Sequence, residues 1–251
     1  MAELREGNQD VLVERITITG LDGFEVEAIH ARPEGMPRSG IVLHPDVMGI
    51  RPLFDDLCRR LATHGFAVCA PEPFARASAD VRAAEDPEVR IAMIPTLDDE
   101  VQLGDLERAA DYLVIADDVS IVAVVGFCMG GMQTLKAAAT DRFDRAVPFY
   151  GMIRLPEKWR GAKLREPIDT AADVCPTLAI FGSVDPWTPP ADIEALREAW
   201  RGRPDCEIVV YDDADHGFVH APERPAHRAE DAADAWKRAL RFLGVEPEPH
   251  L

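Results

Sequence analysis

Between residues 41 and 243, short wholly apolar runs alternate with segments of helical spacing, and this alternation limits the possible folds more than any other feature of the chain. Ile41-Val42-Leu43, residues 66–70, Ile121-Val122-Ala123-Val124-Val125, residues 146–150 and residues 177–181 lack polar alternation, as strands buried on both faces do. Helical patterns lie between them. Residues 52–64 place Leu53, Leu57 and Leu61 on one face and stop at Gly65. Further helices are expected over 98–116, the alanine-rich 129–140, 190–200 and 226–243, with a strand over 207–211 before the last. The order predicts an α/β fold, a mainly parallel sheet with helices on both faces. Ahead of it, residues 14–19 alternate charged or hydroxyl side chains with isoleucine. A second strand is expected to end at Ala31, giving an N-terminal antiparallel hairpin at a sheet edge. Residues 76–96 are the least regular and read equally as an ordered excursion over the site, a lid, or as surface loop. A single domain over 1–251 is expected from the length.

The formal net charge of −18 sets the chain against nucleic-acid phosphates and anionic lipid headgroups, so neither is expected as a partner. It also means that an anionic substrate approaches against the long-range field and needs a local arginine. The five cysteines, Cys58, Cys69, Cys128, Cys175 and Cys206, are scattered, with no C-x-x-C pair, so neither a metal site nor a disulfide framework is expected. Free thiols point to a reducing compartment. Residues 1–10 are polar and acidic, unlike a signal peptide, and no apolar stretch approaches a membrane span. A cytoplasmic location is the expectation.

Ligands in open parallel sheets bind just beyond the carboxyl ends of the strands. At one such end the strand 121–125 runs into Gly126-Phe127-Cys128-Met129-Gly130-Gly131 and then a helix. The strand–turn–helix elbow of α/β-hydrolases is so sharp that small residues must stand two before and two after the nucleophile. Gly126 and Gly130 hold those places around Cys128. The following helix aims its dipole and free amides at the side chain, which favours a thiolate. Most free cysteines are inert buried thiols, and the other four keep that reading. None of the serines, Ser39, Ser78, Ser120 and Ser183, lies in G-x-S-x-G.

A thiol nucleophile needs a base, and the base an orienting acid. In chain order after Cys128, Asp185 follows the strand 177–181 and His216 the strand 207–211, both at the correct end of the sheet. Each alone reads as a turn or surface residue; the ordered set of three reads as a catalytic triad. The oxyanion hole is expected from the backbone amides of Met129 and Val47.

These residues, with P-E-P-F-A-R at 71–76, G-S-V-D at 182–185 and D-H-G-F at 215–218, resemble the dienelactone hydrolase family over roughly residues 14–243. The resemblance implies the α/β-hydrolase fold and a monomeric, cofactor-free hydrolase of cyclic enol esters acting on a small-molecule ester or lactone. In well-known members an acidic residue after the first core strand contacts the resting cysteine. A glutamate is usual there, and this chain has the shorter Asp46. Two arginines of those members hold the substrate carboxylate. Arg76 matches the first; His220 stands at the second place, with Arg224 nearby as a substitute. As plain structural residues, Asp46 would cap the helix beginning near Pro52, Arg76 would be a solvated loop residue, and His220 and Arg224 would be surface residues. Two rival functions remain at this level, a broader esterase or acyltransferase for neutral esters and a redox-sensing relative that uses Cys128 without turnover.

Overall fold

In the computed structural model, which describes residues 4–245, the alternating N-terminal segment forms β1 (Val11–Thr19), paired antiparallel with β2 (Glu25–Pro33). The apolar runs follow as β3 (Ser39–His44), then α1 (Pro52–Thr63) and β4 (Phe66–Pro71), and every residue of both strands is buried. Pro52 opens α1, where the missing N–H has no helical partner to lose.

The irregular stretch is ordered. It forms two short helices, α2 (Ala79–Ala83) capped by Ser78 and α3 (Pro87–Ile91) capped by Asp86. The buried Arg90 pins it. Its guanidinium lies 3.4 Å from Glu72 Oε1, donates to the Arg82 carbonyl and sits over the Phe74 ring. α4 (Asp99–Asp117), β5 (Val122–Phe127), α5 (Met129–Ala137), β6 (Arg145–Phe149), β7 (Thr177–Gly182), α6 (Pro190–Ala199), β8 (Cys206–Tyr211) and α7 (Ala229–Phe242) complete the chain. α5 ends three residues before the expected limit, and β6 stops before Tyr150.

One eight-stranded sheet runs in the order β1-β2-β4-β3-β5-β6-β7-β8. β2 is antiparallel to β1 and β4, and the remaining pairings are parallel. The mainly parallel α/β-hydrolase architecture read from the sequence is the one observed. Phe54, Leu57 and Leu61 of α1 share one core with Ala232, Trp236 and Ala239 of α7. Leu106 and Leu113 of α4, Leu135 of α5 and Leu196 of α6 cover the other face. His44 pairs with Gly126, and Phe127 with Phe149, so the ends of β3, β5 and β6 fall level and their following loops meet. Among the described residues no helix is long and apolar enough to cross a membrane.

Candidate active site

Cys128 lies at that meeting point, between β5 and the N-terminus of α5, with φ 57° and ψ −119°. A non-glycine residue held at positive φ stores strain, and such strain concentrates at functional sites. The flanking glycines explain how the turn closes. A Cβ on Gly126 would lie 2.3 Å from the Gly130 carbonyl oxygen, and one on Gly130 would lie 2.3 Å from that of His44. Any side chain would push the elbow apart or off the β3 loop. The half-buried sulfur thus sits over the first amides of α5, at the positive end of its dipole.

The β7 and β8 loops approach as closely. A Cβ on Gly182 would stand 2.1 Å from the Ala214 carbonyl oxygen. Val184 N–H donates to that oxygen at 3.2 Å and Asp213 N–H to Ser183 Oγ at 2.9 Å. The stitched loops bring Asp185 Oδ2 within 2.8 Å of His216 Nδ1, while Asp185 Oδ1 accepts the Trp187 N–H at 2.8 Å. Both carboxylate oxygens are therefore fixed. The Cys128 sulfur stands near enough to His216 to act on its charge. Burial works against charge on the imidazole, but the Cys128 sulfur and the Asp185 carboxylate outweigh it and push the His216 pKa up to about 10. Among the described residues neither Val47 N–H nor Met129 N–H has an intramolecular acceptor, which leaves both free to receive an oxyanion.

A second buried chain of polar groups runs behind the sulfur. Asp46 accepts from Arg51 Nη1 at 2.7 Å, Arg51 Nη2 at 2.8 Å and Met48 N–H at 2.9 Å, and from His220 Nε2 at 2.7 Å. Burial would raise the Asp46 pKa, but His220 and Arg51 hold its carboxyl well below the usual range. Among the described residues no hydrogen bond joins Asp46 to Cys128, and Asp46 does not cap α1, whose N-cap is Arg51 without a side-chain bond. His220 is fully buried rather than a surface residue and stacks on Phe127 at 4.8 Å. Burial outweighs Asp46 and pulls its pKa down. The neutral ring then donates from Nε2 to Asp46 and accepts the Tyr150 O–H at Nδ1. Tyr150, itself buried at φ 37°, sets its ring 5.1 Å from that of His216, edge to face. Sequence analysis does not select Arg51 or Tyr150. Ending β6 one residue earlier would have placed Tyr150 among the residues beyond strand ends.

The two expected anion-holding arginines sit differently. Arg76 donates to Asp22 (Nε to Oδ2 2.8 Å, Nη2 to Oδ1 2.7 Å) and to Asp105 (Nη1 to Oδ2 2.6 Å), so its guanidinium is turned to the β1–β2 turn and α4. Arg224 is exposed and overlies Gly217, beside His216. With Pro186, Trp187, Asp215 and His216 it lines a cleft of about 560 Å³. A cleft of similar size, about 580 Å³, between β1 and α4 is lined by Thr17, Arg108, Tyr112 and Ile115 and adjoins none of this chemistry.

Comparison with known proteins follows the same outline. The sequence model of the dienelactone hydrolase family matches residues 26–246. An Escherichia coli O157:H7 protein that bears the name carboxymethylenebutenolidase is 31% identical over 240 residues, 93% of this chain and 88% of its own. A carboxymethylenebutenolidase of Rhodococcus opacus is 31% identical over 225 residues, 87% of this chain and 85% of its own. Among solved structures, one from Klebsiella pneumoniae subsp. pneumoniae MGH 78578, assigned by name to dienelactone hydrolase, superposes with a TM-score of 0.85 at 28% identity. It covers 94% of this chain and 100% of its own.

Proposed function

The chain belongs to the dienelactone hydrolase family and is a hydrolase, and we propose that it opens an ester or lactone by covalent catalysis through Cys128, His216 and Asp185. The observation that carries this reading is the imidazole of His216, which meets Asp185 at 2.8 Å on one nitrogen and whose charge is favoured by the nearby sulfur of the strained elbow cysteine.

The Cys128 sulfur, having given its proton to His216, attacks the carbonyl carbon. The carbonyl oxygen becomes an oxyanion held by the free amides of Met129 and Val47. The tetrahedral species collapses, the carbon–oxygen bond to the alcohol or enol breaks, and His216 returns its proton to the departing oxygen. An acyl thioester remains on Cys128. Water, deprotonated by His216, attacks the thioester and releases the acid and the thiolate. Asp185 fixes the ring's tautomer and supports its charge throughout. An enol or aryl leaving group departs as a stabilised anion and suits a thiol nucleophile; an amide does not.

Cys128→Ala is expected to abolish turnover of aryl esters and lactones while the circular dichroism spectrum and melting temperature stay near those of the wild type. Intact-mass spectrometry during turnover is expected to show the wild-type chain heavier by one acyl group. A Cys128→Ala protein that still hydrolyses these substrates would refute the assignment.

A further inference from the structure

Beyond the elbow lies a third apolar cluster, separate from the two sheet cores, built from Val47, Phe74, Met129, Met132, Met152 and Trp159 with their neighbours. Cys128 packs against it, as do the half-buried Met48, Met93, Leu164 and Trp187. Of the seven methionines in the sequence, Met48, Met93, Met129, Met132 and Met152 all sit here. Methionine is unbranched and polarizable, and it adapts to irregular apolar shapes better than any branched side chain. Trp187 packs against Trp159 with ring centres 5.3 Å apart and the planes tilted by 33°, and its ring lies 6.3 Å from His216. It therefore belongs both to this cluster and to the cleft around His216.

The chemistry assigns the two sides. His216 hands its proton to the departing oxygen, so the alcohol portion lies by His216, in the cleft lined by Arg224. The acyl portion, the other substituent on the same carbon, is left to the methionine cluster. Three arginines that follow β3 and β4 in the chain are already committed. Arg51 is held by Asp46, Arg76 by Asp22 and Asp105, and Arg90 by Glu72. A carboxylate on the acyl group would shed its hydration against methionine and tryptophan, and the cation over that cluster, Lys158 at 5.0 Å above Trp187, is half exposed and already beside Glu88, so it returns little.

We propose that this site takes neutral substrates whose acyl group is apolar, seated on the methionine cluster beside Cys128. The proposal rests on the covalent mechanism above and sets its substrate class.

The test is kcat/KM over p-nitrophenyl acetate, butyrate and hexanoate, with mono-p-nitrophenyl adipate as the anionic counterpart of the hexanoate. All four share one leaving group. Each buried methylene is expected to raise kcat/KM by about 4-fold until the surface is filled. The adipate is expected to fall on the order of 100-fold below the hexanoate. Met93→Gln and Met48→Gln are expected to lower the hexanoate-to-acetate ratio, each read against its own acetate rate. A flat chain-length series in the wild type overturns the proposal, as does an adipate rate equal to the hexanoate's. An unchanged ratio in both variants overturns it as well. Failure of the underlying mechanism has a different signature: all four esters would be cleaved equally by wild type and Cys128→Ala.

Discussion

His216 and His220 stand four residues apart in one loop, each holds an aspartate carboxylate at 2.7–2.8 Å, and burial opposes charge on both, yet their protonation is driven in opposite directions. His216 is pushed up to about 10 because the Cys128 sulfur, which can carry negative charge, and the Asp185 carboxylate both favour its charge. His220 is pulled down although its aspartate is ionised. Its carboxylate is shared with Arg51, the positive charges of Arg51 and Arg224 repel an imidazolium, and its second partner is a phenol. A buried histidine–aspartate pair is therefore no catalytic signature by itself. What else stands near the ring, a sulfur at His216 and two guanidinium groups and a phenol at His220, sets the direction of its charge.

The largest expected effect separates the two histidines directly. His216→Asn is expected to lower kcat by roughly 10⁴-fold or more, as the proposed triad role requires, while its amide can still donate to Asp185 and limit the stability lost. His220→Leu is expected to do the reverse. It removes one partner from a buried, ionised Asp46 and costs about 3 kcal/mol of stability, while kcat falls by less than roughly 10²-fold through a shifted Tyr150. Steady-state kinetics and chemical denaturation on the two proteins read both quantities. Equal kinetic losses would erase the distinction drawn here.

The first of these pairs was legible in the sequence and the second was not, for a physical reason. Gly126, Cys128 and Gly130 announce themselves because backbone sterics at a tight turn dictate residue type locally. Asp185 and His216 follow strands whose apolar runs are equally local. The parallel sheet is readable on the same grounds. The partners of His220 are set by tertiary packing: Asp46 lies 174 positions away and Tyr150 lies 70. Arg76 matches its motif in place, but the side chain goes to Asp22 and Asp105, acidic residues 54 and 29 positions distant. A motif places a Cα; competing charges elsewhere decide where a long side chain ends. Residues 76–96 were undecidable for a related reason, since the Arg90–Glu72 contact that pins them joins the stretch to β4's exit across the fold.

A smaller change sharpens the comparison by altering only the charge around His220. Arg51→Met removes the guanidinium that Asp46 holds at 2.7 and 2.8 Å and that lies over the Phe54 ring, and leaves an unbranched apolar side chain in its place. The freed carboxylate then keeps only His220 and the Met48 N–H as partners, and the ring's pKa is expected to rise toward that of an ordinary histidine or above it. NMR titration of the imidazole carbon-bound protons reads the shift. Losing the charge-assisted bonds is expected to cost about 2 kcal/mol of stability. An unmoved His220 titration would show that burial alone, without Arg51, keeps the ring neutral.

The smallest effect comes from a third buried histidine, far from any nucleophile. His30 on β2 is 2% exposed, with Nε2 2.9 Å from Asp117 at the end of α4 and Nδ1 3.1 Å from Glu14 on β1. Tyr112 of α4 meets its ring edge-on, Cys69 of β4 is its cross-strand neighbour, and Arg32 reaches Asp117 at 3.8 Å. Burial works against the charge, yet the two carboxylates prevail and raise the pKa. A histidine raised in the folded state contributes stability that is complete below its unfolded value near 6.5. That contribution is lost as pH rises through the higher folded value. Denaturation of the wild type from mildly acidic to alkaline pH is thus expected to show a falling stability with a slope of at most about 1.4 kcal/mol per pH unit from this group. His30→Asn is expected to flatten that part of the curve, with kcat unchanged at every pH. His216, also raised, contributes a loss of the same sign but toward its higher value of about 10, and that part of the curve is expected to survive in the variant. A His30→Asn protein whose stability profile matches the wild type throughout would mean that the carboxylates around His30 do not hold its proton, and that position beside a carboxylate says still less about charge than the two histidines of the site suggest.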